Sequence, residues 1–155
     1  MKLSLAVALL CFVRAASAAT YTVTNNADSG AGSLRQTLAD AADQAGADTL
    51  MFVPGMSGQT MTLASEIIVD DQGGVSIDAS SLPAGVTISG NHATSIFSQP
   101  SASSTLTLRG LTLMNGYDKD GGGAIGNSGT LTLVQCMLSG NSAPMPARSS
   151  TPEAH

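Results

Sequence analysis

Four short segments of this chain repeat the same pattern of apolar residues at a constant interval. In each segment, two apolar side chains flank a Thr or a Met, which is the alternation of a β-strand with one buried face. The segments begin at Met61, Val86, Leu111 and Cys136, which are equally spaced along the chain. A strand that recurs at a constant interval predicts a solenoid, in which these four residues stack vertically and point into a shared interior.

The last two copies match over a longer stretch, because TLTLRGLTLMNG (105–116) aligns with TLTLVQCMLSGN (130–141). The apolar alternation changes phase at Arg109 and Gly110, which indicates a bend between two strands. Two strands joined by a bend in every repeat favour an all-β fold, a right-handed parallel β-helix of about four coils.

A leucine-rich repeat is the main alternative, since Leu133, Cys136, Leu138 and Asn141 fit its spacing tolerably. That fold needs a helix or a similar return segment in each repeat. The return segments here, 92–104 and 117–129, are rich in Gly, Ser and Pro, which disfavour helices. The composition therefore favours the β-helix.

One helix is predicted near the front of the chain, over residues 33–45. Ser33 and Gln36 match a capping box, and Gly46 is placed to end the helix. The first coil of a solenoid exposes unpaired backbone, which a helix can cover. We therefore expect residues 19–58 to form an N-terminal cap, residues 59–143 the β-helix coils, and residues 144–155 a disordered tail.

Residues 1–18 have the pattern of a signal peptide, with Lys2, an apolar run over 3–13 and a small-residue cleavage pattern over 16–18. We expect the mature chain to begin at Ala19. Cleavage removes Lys2 and Arg14, so six basic residues become four against 11 acids, a net charge of −7. Such a charge does not suit binding to nucleic acid. We expect no transmembrane segment in the mature chain.

Parallel β-helices also occur as polysaccharide lyases and hydrolases, which need paired carboxylates. The nearest candidates are Asp70, Asp71 and Asp78, with Arg109 as a possible partner. The pair Asp70–Asp71 precedes a Gly-Gly turn, so turn chemistry is the simpler interpretation. An enzyme predicts that these four side chains converge in a groove, whereas a non-enzymatic protein predicts that they do not.

The other polar motifs do not predict a site. Asp118 and Asp120 lack the spacing of a calcium loop, His92 has no catalytic companion and is expected at a coil corner, and Cys136 occupies a core position. Once Cys11 leaves with the signal peptide, Cys136 has no disulfide partner. We predict no catalytic, cofactor or metal residues. A further expectation is an outward ladder of Thr62, Thr87 and Thr112. Such a ladder is typical of a solvated sheet surface, and as a binding face it would offer hydroxyls to glycans or an edge for strand addition.

Two stretches resemble known bacterial surface proteins. Residues 20–54, with the motif GSLRQT (32–37), resemble the CSLREA-type N-terminal segment of bacterial surface β-helix proteins, although the Cys is absent and the end of the motif differs. Residues 121–143 are similar to the repeat of the polymorphic outer-membrane protein family. Its GGA-I/L/V signature is matched at 122–125, and its FxxN signature at 138–141 with Leu for Phe.

This resemblance implies a surface protein, an adhesin or an autotransporter passenger, located outside the cell, at the cell surface or outer membrane, or in the periplasm. We therefore expect an exported, non-enzymatic β-helix protein with glycans or host or cell-surface proteins as partners. The alternatives are a remnant of a carbohydrate-active enzyme and a nonfunctional truncated product. Members of the family usually carry more coils, so a fragment of a longer protein is also expected.

Overall fold

The computed structural model of the protein describes residues 17–43 and 46–144. Most of the predicted signal peptide, the predicted helix end at Ala45 and the predicted tail after Pro144 lie outside the described residues. Within the described part, no helix is long and apolar enough to span a bilayer.

The described chain winds through three parallel sheets that repeat in the same order, which makes the fold a parallel β-helix. Sheet 1 contains β1 (Thr20–Val23), β2 (Asp48–Phe52), β5 (Val75–Asp78), β8 (Thr105–Arg109) and β11 (Thr130–Val134). Sheet 2 contains β3 (Thr60–Thr62), β6 (Val86–Ser89), β9 (Leu111–Met114) and β12 (Met137–Ser139). Sheet 3 contains β4 (Ile67–Ile68), β7 (Phe97–Gln99) and β10 (Ile125–Asn127). The four strands of sheet 2 correspond to four coils, and the predicted fold class is confirmed.

The register of sheet 2 corrects one expectation from the sequence. Val86 pairs with Leu111. Met137 pairs with Thr112, so the residue before Met137, Cys136, is aligned with Leu111 in the next coil. Met61 does not join this column, since its register partner is Ile88, two positions beyond Val86. The prediction that Met61 stacks directly below Val86 was therefore wrong.

The physical reason for the shift lies in the corner that precedes sheet 2. The N–H of Gly58 donates to the carbonyl oxygen of Gly85, so these two glycine corners stack. Both glycines adopt positive φ, of 73° and 57°. Because the two corners are aligned with each other, the residues that follow them are aligned as well. The register of sheet 2 is therefore set by the corner and not by the number of residues in a coil.

The core is formed by side chains that point inward from all three sheets. One column of sheet 2 consists of Met61, Ile88 and Leu113, which are all buried, followed by Leu138, which is 48% exposed. Cys136, predicted to be in the core, packs against it but is only partly buried. The apolar interior is therefore closed in the middle coils and open at the last described coil.

Sheet 3 lies within the return segments, for which the sequence predicted only that helices are absent. Its strands have two or three residues each, too few to show an alternation in the sequence. Phe97 is completely buried, and its neighbour in phase, Gln99, is also buried. The amide group of Gln99 donates to the carbonyl oxygens of Ser104 and Thr130, which links two successive coils. The third side of the solenoid thus uses short strands and a buried amide.

The helix α1 (Leu34–Ala42) begins where the sequence predicted, but it ends at Ala42 with Asp43 as its C-cap, before the predicted end at Ala45. The Ser33 hydroxyl accepts a hydrogen bond from the N–H of Gln36 at 3.3 Å, which is one half of a capping box. The second half is absent, because the Gln36 side chain donates to Asp40 instead. In the coil that begins with β1, α1 takes the place that strands of sheets 2 and 3 occupy in later coils. It packs against β1 and β2, and β2 in turn pairs with β5.

Candidate functional site

A groove of about 560 Å³ lies between α1 and β4. Its apolar lining includes Leu38, Ala42 and Ile68, and the Ile68 side chain is 61% exposed. Charged residues at this groove are Arg35, Glu66 and Asp70, of which Arg35 and Glu66 already have hydrogen-bond partners. The groove is therefore apolar, and two of its three charged side chains are engaged in holding the fold together.

Arg35 fastens the helix to the body of the solenoid. Its guanidinium donates to the carbonyl oxygens of Ser65 and Glu66, both at 2.7 Å, and to the side chain of Asp28 at 2.9 Å. A third carbonyl, that of Asp28, accepts from the Nε–H at 3.3 Å. This Arg belongs to the GSLRQT motif, to which the sequence analysis assigned no contact. These bonds join α1 to two other segments of the chain and give Arg35 a structural role.

The four residues proposed for catalysis do not converge. Asp70 lies at the groove beside α1, whereas Asp78 and Arg109 are register partners in sheet 1. Asp71 accepts a hydrogen bond from the N–H of Gly73 at 2.8 Å, and Asp78 accepts one from Ser80 at 2.8 Å. These are the local side chain–backbone bonds of turns. The groove contains only one of the four residues, so the convergence expected of an enzyme is not seen.

Two buried carboxylates form a feature that the sequence analysis missed. Asp48 is only 1% exposed and occupies an inward position of β2, where the next coil has Val75. Its Oδ1 accepts from the N–H of Ala19 at 2.8 Å. Among the described residues, Oδ2 of Asp48 and Oδ2 of Asp71 have no hydrogen-bond partner. The sequence contained a signal for a buried carboxylate here: in DTLMF (48–52), Asp48 stands at a position where the alternation of the strand places an inward-pointing, apolar residue.

Tyr21 lies at the same end of the molecule. Burial raises the pKa of its phenol above the usual value, and the negative charge of Asp48 raises the pKa further. The phenol therefore stays neutral over the physiological pH range. A neutral hydroxyl among carboxylates adds polarity to this end of the solenoid without adding charge.

The loop at Asp118–Asp120 behaves as a solvated turn. Asp118 accepts from the N–H of Asp120, and Lys119 forms an ion pair with Asp120 that raises the pKa of the ammonium group. Within residues 17–43 and 46–144, no group of three or more His, Cys, Asp or Glu is arranged to hold a metal ion. His92 lies exposed at a coil corner with a φ of 56°, which confirms its predicted place.

The outer face of sheet 1 carries a column of hydroxyl groups, one in each strand of the sheet. The register places these residues side by side: Thr20, Thr49, Ser76, Thr107 and Thr132. Neighbouring strands in a sheet lie about 4.8 Å apart, so the hydroxyls follow one another at that interval. The repeated TLTL in the sequence shows that Thr107 and Thr132 are equivalent. The other members of the column can be recognised only from the register of the strands in the structure.

The ladder predicted on sheet 2 is also present, with one change of member. Thr87 and Thr112 are register partners, and the residue below them is Thr60 rather than Thr62. Thr62 instead aligns with Ser89. The change follows from the same shift in register that moves Met61.

No model of a known protein family matches this chain, and no curated protein matches its sequence. The class of protein is therefore defined by its fold, which is a parallel β-helix with one short helix, α1, after its first strand.

Proposed function

We propose that this protein is an exported, non-enzymatic surface or secreted β-helix protein that acts like an adhesin. The observation that supports this proposal most directly is the hydroxyl column on the outer face of sheet 1, in which all five strands contribute a residue in register. The resemblance to polymorphic outer-membrane repeats and to CSLREA-type segments supports the same proposal. The candidate residues Asp70, Asp71, Asp78 and Arg109, by contrast, do not converge in one groove, which does not suit acid–base catalysis.

The hydroxyl column suits a ligand with many hydroxyl groups of its own. Each Thr or Ser hydroxyl can donate one hydrogen bond and accept others, so a regular row of them can bind the hydroxyls of a glycan. The flanking column on the same face contains the neighbouring pair Asp78 and Arg109, which adds one acceptor and one donor of opposite charge. We propose cell-surface glycans as the ligand class on this basis.

The binding proposal is tested with the full chain on an array of immobilised glycans. The informative variant is Thr49→Val with Thr107→Val, because Val keeps the shape of Thr and its preference for strands while removing the hydroxyl. The matched control is Thr87→Val with Thr112→Val on sheet 2. We expect the sheet 1 variant to lower glycan affinity about tenfold or more, as loss of two hydrogen bonds implies, and the control to keep it.

Equal effects of the two variants, or no glycan binding by the unmodified chain, would contradict this proposal. If the purified chain instead cleaves a polysaccharide, and Asp78→Asn abolishes the cleavage, the protein is a carbohydrate-active enzyme. Export is tested separately by fractionation of a bacterial host. We expect the exported chain to begin at Ala19, and recovery of only uncleaved protein inside the cell would contradict export.

A further inference from the structure

The backbone of Ala19 is held by β2 through two hydrogen bonds. Its N–H donates to Oδ1 of Asp48 at 2.8 Å, and its carbonyl oxygen accepts from the N–H of Thr49 at 2.9 Å. The next residue, Thr20, is the first residue of β1 and pairs in register with Thr49. The position of the Ala19 nitrogen is therefore set by β2 and not by the residues that precede it in the chain.

Within the described part of the chain, the Asp48 carboxylate has no cationic partner. Asp48 is 1% exposed, and its Oδ2 accepts no hydrogen bond from any described residue. The ion pairs among those residues join Arg35 to Asp28 and Lys119 to Asp120. A buried carboxylate that has one amide donor and no cation is costly, because its charge leaves water without a compensating charge. The site therefore suits a cation placed at the Ala19 nitrogen.

A second buried carboxylate adds to the negative charge at this end of the solenoid. Asp71 is 8% exposed, and its Oδ2 also lacks a hydrogen-bond partner among the described residues. Burial, and then the negative charge of Asp48 and of neighbouring acids that include Asp71, raises the pKa of the Tyr21 phenol. The two carboxylates thus act on the same short segment of β1, where a positive charge would be stabilised.

We propose that cleavage of the signal peptide before Ala19 creates the cation that pairs with Asp48. Hydrolysis breaks the bond between the carbonyl carbon of Ala18 and the nitrogen of Ala19. Water supplies a hydroxyl group to that carbon and a hydrogen to that nitrogen, and the proton of the new carboxyl group passes to the new amine. The amide beside Asp48 thus becomes an ammonium group. This inference rests on the proposed export, which provides the cleavage.

The ammonium group meets requirements of the site that the amide does not. It has three N–H donors, so one keeps the bond to Oδ1 of Asp48 and another is free for Oδ2 of the same carboxylate. Hydrogen bonds between two charged groups are stronger than those of a neutral amide, and the positive charge balances the buried negative one. The stability of the mature protein therefore depends on cleavage at this one peptide bond.

The first test compares two chains that differ in where the ammonium group lies. Both are released by a protease that cleaves after Ile-Glu-Gly-Arg, a sequence introduced by Ala15→Ile, Ala16→Glu, Ser17→Gly and Ala18→Arg. One product begins at Ala19 and contains every strand and helix that the structure describes. The other has Gly-Ser inserted before Ala19, so the nitrogen of residue 19 remains an amide. Ser17 and Ala18 are exposed, which leaves room for the two added residues.

We expect the equilibrium constant for unfolding in urea to be about tenfold lower, or less, for the chain that begins at Ala19, as the strength of hydrogen bonds between charged groups implies. Asp48→Asn should remove this difference between the two chains, because an amide side chain has no charge to pair with the ammonium group. The matched control is Asp43→Asn, which removes the charge of an exposed acid at the same end and should preserve the difference.

The second test measures the reactivity of the new amino group and needs no substitution at Asp48. An acylating reagent at neutral pH labels the α-amino group and the side chain of Lys119, which is the only lysine in residues 19–155 and is 74% exposed. Pairing with a carboxylate keeps an amine protonated and unreactive. We expect the α-amino group of Ala19 to react about tenfold more slowly than that of the Gly-Ser chain, and Lys119 to react equally in both.

Three results would overturn the proposal: equal unfolding constants for the two chains, a difference that survives Asp48→Asn, or equal labelling of the two α-amino groups. Loss of the difference in Asp43→Asn as well would indicate an effect of total charge and would also contradict it. These results do not depend on export or on glycans, because the cleavage is made with a purified protease. Failure of the export proposal is seen separately in the bacterial host, as a chain that is not cleaved or that begins at another residue.

Discussion

One backbone position recurs at the corner between sheets 1 and 2 in each of the four coils that has a strand of sheet 2. Gly58, Gly85 and Gly110 occupy it with positive φ, and in the last coil Gln135 takes the same place with a φ of 53°. Glycine suits this conformation because it has no Cβ. At Gly110 a Cβ would also lie 2.8 Å from the backbone N and Cα of Ser80, which is too close.

The substitution Gln135→Gly is therefore expected to stabilise the protein. The left-handed conformation costs a residue other than Gly about 1 kcal/mol, part of which is offset by the greater freedom of Gly in the unfolded chain. We expect a net gain of about 0.5 kcal/mol in the free energy of unfolding by urea. The companion variant Gly110→Ala should lower the free energy of unfolding by about 2 kcal/mol, because of backbone strain and the close contact of the added Cβ with Ser80. A lower urea midpoint for Gln135→Gly would contradict this account of the corner.

At the level of elements, α1 packs on β1 and β2 through buried apolar residues, and one polar side chain joins it to two further segments. Arg35 donates to acceptors in two separate segments, around Asp28 and at residues 65–66. Its ion pair with Asp28 is partly shielded from solvent, with 28% and 27% of the two side chains exposed. The planar guanidinium reaches these acceptors at once, which a Lys ammonium on its single stem cannot do.

We expect Arg35→Ala to lower the free energy of unfolding by about 2 kcal/mol, because hydrogen bonds to a charged group are among the stronger ones. Arg35→Lys should recover less than half of that loss. Amide hydrogen exchange should increase in α1 before it increases in sheet 2. The control is Lys119→Ala, which removes a cation whose ion pair is with the adjacent, exposed Asp120. That variant should change stability by less than about 0.5 kcal/mol, and an equal loss in both variants would refute the role of Arg35.

For the whole molecule, the core is expected to weaken toward the last described coil. Leu113 and Leu138 are register partners in the same column, but only Leu113 is fully buried. We expect Leu113→Ala to lower the free energy of unfolding by about 3 kcal/mol and Leu138→Ala by about 1 kcal/mol. The reason is that truncating a side chain destabilises a protein more when the removed atoms are fully buried. The measurement is the free energy of unfolding by urea. Similar losses at the two positions would indicate that the last coil is covered.

The sequence allowed much of this fold to be predicted, because burial leaves a pattern in residue types. The strands of sheet 2 and the cap at Ser33 follow from apolar alternation and from a capping residue with the right spacing. The first register step could not be predicted from a constant interval. Coil lengths vary with the corners, so Met61 pairs with Ile88 and not with Val86, while Val86 pairs with Leu111 as the constant interval predicts.

The candidate surfaces were less predictable than the strands. The hydroxyl column of sheet 1 joins residues from five strands, and only the three-dimensional register shows that Thr49 and Ser76 are neighbours. Arg35 was recognised as part of a motif, but its acceptors are mainly backbone carbonyls, which have no signature in the sequence. Contacts of side chains with distant backbone are thus the part of the structure that residue types do not encode.

The central claim is that the chain winds as a parallel solenoid with this register, and the formation of a designed disulfide tests it most directly. In a chain carrying Cys11→Ser and Cys136→Ser, the pair Thr60→Cys and Thr87→Cys joins register partners on the outer face of sheet 2. The comparison pair, Thr62→Cys and Thr87→Cys, follows the constant interval of the sequence repeat instead.

Register partners in adjacent strands lie about 4.8 Å apart, whereas a shift of two positions increases the Cα separation to about 8 Å. Disulfides require a Cα separation below about 7 Å. We therefore predict that mild oxidation closes the Thr60→Cys/Thr87→Cys bridge within one chain and leaves Thr62→Cys/Thr87→Cys reduced. Preferential closure of the second pair, or closure of neither, would contradict the stacked coils described here.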